Sequence, residues 1–244
     1  MSLGYELDAG FAGKRLGLIV LSTDETLENE ARLVLAGQRV SLLHARIPAQ
    51  AEVTPEALKT MEGHMVGTAS LLPRDMDVVG YGCTSGATVI GPERVASLIG
   101  QVQGKARVTN PLSAVIAALQ TLDARRIALL TPYVESVNAP LIAALAEAGI
   151  EVAAQASFNQ SDDWSVARIS ESSTQHAIEN LVIPEGCDAI FASCTNLRVF
   201  GILEQAEAVS GLPVVSSNLA LLWHMLKLAG IEARGWGPGR LFEH

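Results

Sequence analysis

Apolar and polar positions along this chain follow two alternating periods. Short unbroken apolar runs are each followed by a segment in which apolar residues recur every three to four positions. The runs read as strands buried on both faces, and the periodic segments as helices laid over them. RLGLIVL (15–21) is a strand and TLENEARLVLA (26–36) a helix. RVSLLHARI (39–47) is a strand, and 54–72 a helix with Thr54 at its N-cap and Pro55 at its first position. DVVGYG (77–82) and ARVTN (106–110) are strands, followed by helices over 91–102 and 111–122. The pattern then restarts, with strands over 126–132, 150–158, 188–193 and 212–217. Helices are expected over 136–149, 172–183, 196–211 and 218–230, the first of them ending at Gly149 in a left-handed C-cap.

The restart is a duplication. Arg15 and Arg126, which open the leading strand of each half, stand 111 positions apart, and so do Cys83 and Cys194. The expected fold is therefore α/β, with two lobes related by a pseudo-twofold axis. Each is a roughly four-stranded parallel sheet flanked by helices, with an active site in the cleft between them. The first lobe is expected to span 1–122, completed by the C-terminal segment 218–244, and the second 123–217.

Composition narrows the class. Hydrophobic residues make up 49% of the 244, charged residues 18%, and the formal net charge is −9. No basic cluster suggests nucleic acid, and no apolar run approaches the roughly 20 residues of a membrane helix. Residues 1–15 lack a basic segment followed by an apolar one, so no leader is expected. Three cysteines, an odd number without a CxxC spacing, point to free thiols in a cytoplasmic protein. Exposed helix faces would suit a homo-oligomer such as a dimer.

Two thiols carry the candidate chemistry. GYGCTSGATVIG (80–91) and FASCTNL (191–197) each end an apolar strand in Cys-Thr. Ligands of parallel sheets bind beyond the carboxyl ends of the strands. Backbone N–H groups and the dipole of a following helix would favour thiolate there. Cys83 and Cys194 would then face one small carboxylate from opposite sides, one removing or adding a proton or attacking carbon, the other working from the far face. No metal or organic cofactor is required for that. Cys187 precedes its strand and reads as structural. GWGPGR (235–240) opens no helix after a strand and is no dinucleotide fingerprint, and the five histidines lack ligand spacing.

These segments, together with LIVLSTDETLENE (18–30), TPYVESVN (131–138) and SFNQSDDWSVARI (157–169), resemble the aspartate/glutamate racemase superfamily. The similarity is closest to its maleate cis-trans isomerase and arylmalonate decarboxylase branch, and extends to relatives from ectoine-utilisation operons. The resemblance implies that Cys83 and Cys194 are the catalytic pair and that Tyr133 binds a substrate carboxylate. Ser22, Thr23, Thr84, Ser85, Thr195 and Asn196 are at loops expected to supply further donors, although each alone is also an ordinary turn or capping residue. The pattern has Asn where this chain has Asp24 and, by our alignment, Asp163. A carboxylate there repels an acid unless protonated or paired, which shifts the expected substrate from maleate toward an amino-acid-like or N-substituted acid. Asp24 could instead cap helix 26–36, and Asp163 could be a solvated loop acid. The expected function is a cofactor-independent isomerase or racemase of a small carboxylic acid. The alternatives are a malonate-type decarboxylase with Cys194 as proton donor, and a non-catalytic acid-binding protein.

Overall fold

The computed structural model describes residues 3–7 and 10–244, so part of the stretch read above for a leader lies outside the described residues. The first half runs β1 (Lys14–Leu21), α1 (Leu27–Leu35), β2 (Val40–Ile47), α2 (Pro55–Thr60), α3 (Met65–Ala69), β3 (Val78–Gly82), α4 (Thr84–Ile90), α5 (Pro92–Gly100), β4 (Arg107–Thr109) and α6 (Pro111–Thr121). The second runs β5 (Arg126–Tyr133), α7 (Glu135–Glu147), β6 (Glu151–Gln160), α8 (Asp163–Ala167), α9 (Glu171–Glu179), β7 (Ala189–Ala192), α10 (Leu203–Ser210), β8 (Val214–Ser216) and α11 (Ser217–Leu228). Every strand pairing is parallel, because a helical crossover separates each strand from the next. The sheets have matching orders, β2-β1-β3-β4 and β6-β5-β7-β8, as a duplication requires.

Four segments depart from the periodic reading. The expected helix 54–72 breaks into α2, a 3₁₀ turn at Met61–His64 and α3. It carries Gly63 and Gly67, and glycine interrupts a helix by the backbone entropy it must lose. Helix α4 starts one residue after Cys83, seven residues before the helix expected there. It stops at Gly91, whose φ of +95° breaks the run, and Pro92 starts α5. The expected helix 196–211 is regular only from Leu203, after a 3₁₀ turn at Phe200–Ile202. Finally, Asp162 caps the unexpected α8 by accepting the Ser165 N–H. Gly149, with φ +78°, does follow α7 as expected.

Helix α11 is the last α-helix in sequence, yet it lies against α6, β3 and β4 of the first sheet and also touches α1. Its Met225 sits so close over Gly80 that a Cβ there would be 2.5 Å from Sδ. Arg107 on β4 donates to the Leu228 carbonyl at 3.0 Å. Among the described residues no helix is long and apolar enough to cross a membrane.

Candidate active site

Parallel strands place their carboxyl ends, and the loops after them, at one edge of each sheet. Five of the predicted site residues meet at this edge in a narrow cleft: Cys83, Ser85, Tyr133, Asp163 and Thr195. Its other wall is the segment after β2, with Gln50, Glu52, Val53, Leu58 and Met61 among the lining residues. That segment is pinned to the second half by backbone bonds from Val53 N–H to the Ser161 carbonyl (2.8 Å) and from Asp163 N–H to the Ala51 carbonyl (2.9 Å). Sequence reading missed this wall. Its position after a parallel strand was the available signal, since its residues carry no distinctive chemistry.

The two Cys-Thr segments touch. Thr195 Oγ1 donates to the Gly82 carbonyl at 3.4 Å. Ser217, at the start of α11, ties both together: its Oγ accepts from Thr84 Oγ1 at 2.8 Å and from the Cys194 N–H at 3.0 Å. Tyr133 lines the cleft alongside Cys83, and its hydroxyl lies 2.8 Å from Cys194 Sγ. Both sulfurs are buried. Ser217 went unread in the sequence, where Ser216-Ser217 looks like any strand-to-helix junction.

The local backbones differ. Cys83 is the N-cap of α4, and its Sγ accepts the Gly86 N–H at 3.2 Å. Cys194 is followed by an irregular turn, so the expectation that both thiols open a helix holds for Cys83 alone. Cys194 has φ +135°, a region L residues rarely adopt, at a cost of about 1–3 kcal/mol. Its Sγ accepts the Asn196 N–H at 3.2 Å. Burial pushes the Cys83 thiol up to about 11, against the pull of the Gly86 N–H and Ser85 hydroxyl. The Cys194 thiol is raised well above its ordinary value by burial and by the charge of Asp163, against the Tyr133 hydrogen bond. The expected preference for thiolate is therefore reversed: desolvation outweighs the N-terminal dipole, an effect of under a kcal/mol or two.

Asp163 is buried and accepts Thr23 Oγ1 at 2.5 Å. Burial raises its carboxyl, opposed by Thr23 and Asn196. Asp24 is buried and is not among the residues that line the cleft. Its Oδ1 accepts the Thr26 and Leu27 N–H groups at 2.9 and 2.8 Å, which caps α1, while Oδ2 is buried without a hydrogen-bond partner. Burial pushes that carboxyl up to about 6.

The remaining predicted donors point elsewhere. Ser22 Oγ accepts the Ala49 N–H at 3.0 Å and Thr84 is committed to Ser217. Asn196 joins the halves, accepting the Glu25 N–H at 2.9 Å and donating to the Asp163 carbonyl at 3.2 Å. Among the described residues no group of three His, Cys, Asp or Glu side chains is arranged to hold a metal ion.

Comparison with known proteins places this geometry. The chain is 27% identical over 232 residues to the maleate isomerase of Geobacillus stearothermophilus, covering 89% of this chain and 92% of that one. It superposes on the crystal structure of the maleate isomerase Iso from Pseudomonas putida S16 with a TM-score of 0.85 at 25% identity, covering 94% and 98%. With a TM-score of 0.84 and 26% identity, over 94% and 98%, it also matches a Cys→Ser mutant of the Nocardia farcinica maleate cis-trans isomerase that holds a covalently bound succinylcysteine intermediate. The family model described as arylmalonate decarboxylase matches residues 16–242, so this chain belongs to that family.

Proposed function

We propose that this protein is a cofactor-independent isomerase of a small carboxylic acid and that Cys83 and Cys194 do its chemistry. The observation that carries the reading is that Ser217 joins the two Cys-Thr segments beside one cleft, which Cys83, Tyr133 and Thr195 line while Cys194 lies behind Tyr133, 2.8 Å from its hydroxyl. The maleate isomerase relatives, one of them holding a succinylcysteine, support thiol chemistry of the same kind. One sulfur, as thiolate, bonds to the carbon beside the substrate carboxylate or takes its proton. The other thiol delivers a proton to the carbon it faces. Where the first sulfur has bonded to carbon, rotation and then return of that proton with loss of the C–S bond restore both sulfurs; where it has taken a proton, the two sulfurs have exchanged states and proton exchange with solvent resets them. Ser85, Thr195 and backbone N–H groups at the strand ends hold the charge that develops on the carboxylate.

The charge of the cleft bears on substrate. Asp163 and Glu52 line it, and no Lys, Arg or His appears among its described lining residues. The Asp163 charge raises both thiols. A substrate nitrogen that is cationic would pair with Asp163 and lift that effect, easing thiolate formation. A second carboxylate would worsen it. The substrate is therefore an acid bearing an amino or other cationic nitrogen group, in preference to a dicarboxylate such as maleate. The lobes are taken as 1–122 with 218–244, and 123–217.

The test is deuterium entry from heavy water into a panel of amino acids, N-substituted acids and dicarboxylates. Cys83→Ser and Cys194→Ser should each lower kcat by roughly 10²–10⁴. Wild-type turnover in either variant, or carbon dioxide release from malonates as the main reaction, overturns the reading.

A further inference from the structure

Glu30 occupies a place that an apolar residue would be expected to fill. It lies on the inward stripe of α1 with Leu27, Ala31 and Val34, and it is only 6% exposed. No ion pair among the described residues includes it. Its partners all come from the other end of the chain. Oε1 accepts the Val199 and Phe200 N–H groups, each at 3.3 Å, and Oε2 accepts Asn218 Nδ2 at 2.7 Å. Asn218 Nδ2 also donates to the Thr195 carbonyl at 2.8 Å. One carboxylate thus grips both ends of the irregular turn that follows Cys194. These bonds also explain why no helix forms at residue 196: the N–H groups of residues 199 and 200 point to a side chain and not to a carbonyl four residues back.

We propose that Glu30 is a positioning residue, which holds residues 195–200 from across the two halves and thereby keeps Cys194 in its strained backbone with Sγ directed at Tyr133. The proposal rests on the thiol chemistry proposed above. Every group that Glu30 touches is a donor, so only an ionised carboxylate satisfies all three. A protonated one must turn an O–H toward another donor. Rotating the Asn218 amide would offer it Oδ1, which has no partner, but would release the Thr195 carbonyl. Burial pushes the Glu30 carboxyl up to about 7, with Asp24 adding to the rise, while its three donors pull it down. A turn that lets go of those donors while Glu30 stays buried on α1 holds the proton more tightly still, so protonation near neutral pH favours the loosened turn. Nearby charged groups are engaged elsewhere. Glu28 pairs with Arg32 and Arg46, and Arg198 donates to the Ile169 carbonyl. On α11, His224 bonds Thr109 and Lys227 lies over Trp223.

Amide exchange of the full chain, followed by mass spectrometry over residues 195–200 and corrected for intrinsic rate, tests the clamp without substrate. Protection in the wild type should fall about tenfold from pH 8 to pH 6. In Glu30→Gln it should be low at both. Alkylation of Cys194 by iodoacetamide should speed up about tenfold in that variant. With a turned-over acid, kcat should drop about tenfold with KM little changed, and the acid limb near pH 7 should vanish. If Glu30→Gln does not fold, the wild-type pH series decides. Protection that is flat in the wild type, or a variant with wild-type alkylation and kcat, overturns the proposal. Failure of every acid in the panel counts against the isomerase reading alone, and exchange and alkylation still decide on Glu30.

Discussion

Asp24 shows how one side chain can satisfy a local rule and still cost stability. Its Oδ1 caps α1, as the spacing of Asp24 before Leu27 allows. Its Oδ2 is buried without a partner, and burial raises the carboxyl from 3.8 to about 6. A raised carboxyl means that the folded state holds its proton more tightly than the unfolded chain. The stability this lends is complete below about pH 4 and is lost as pH rises through 6. Asp24→Asn keeps the capping oxygen and removes the charge. It should match the wild type near pH 4 and be more stable at pH 8, by up to about 3 kcal/mol. Urea midpoints at several pH values measure this. An equal loss between pH 5 and pH 8 in both proteins would show that Asp24 carries none of it.

At the scale of elements, the first turn of α4 is fitted to the cleft by Gly86. A Cβ there would lie 2.5 Å from the Tyr81 hydroxyl, 2.8 Å from Met61 Cε and 2.9 Å from Cys83 Sγ. Tyr81 is fully buried and cannot retreat, so the sulfur or the turn must move. Gly86→Ala should cost about 1–3 kcal/mol of stability. It should also cost roughly 10²-fold in kcat, because a displacement near 1 Å spoils alignment. A melting temperature and a kcat both at wild-type level would show that the turn has slack. The glycine was visible in GCTSGAT, yet only packing shows that it makes room for sulfur. The strand before it was legible from Val78 and Val79. The helix after it was not, because Thr84, Ser85 and Gly86 are poor helix formers.

In the whole molecule the halves are joined by more than the chain between them. Helix α11 covers the first sheet, Asn196 bridges to Glu25 and Asp163, and Glu30 reaches Asn218. Neither half can open its core without breaking buried polar bonds in the other. Scanning calorimetry should therefore show one cooperative transition, with the van't Hoff enthalpy equal to the calorimetric one. Two resolved transitions would show independent lobes.

The sequence by itself determined the alternation of strands and helices, the duplication and the two strand-end thiols. Each of these depends on spacing along the chain, and burial of apolar faces imposes that spacing locally. It also held the resemblance that pointed to Tyr133. Tertiary structure alone decided which candidates share the cleft, that Ser22, Thr84 and Asn196 are tied up elsewhere, that Asp24 has one oxygen engaged and one buried without a partner, and that a loop distant in sequence forms the opposite wall. It alone decided the charge of the thiols, because desolvation depends on everything packed around a sulfur and not on its neighbours in the chain. Glu30 belongs to that second class: its partners lie about 170 to 190 residues away, beyond the reach of any local pattern.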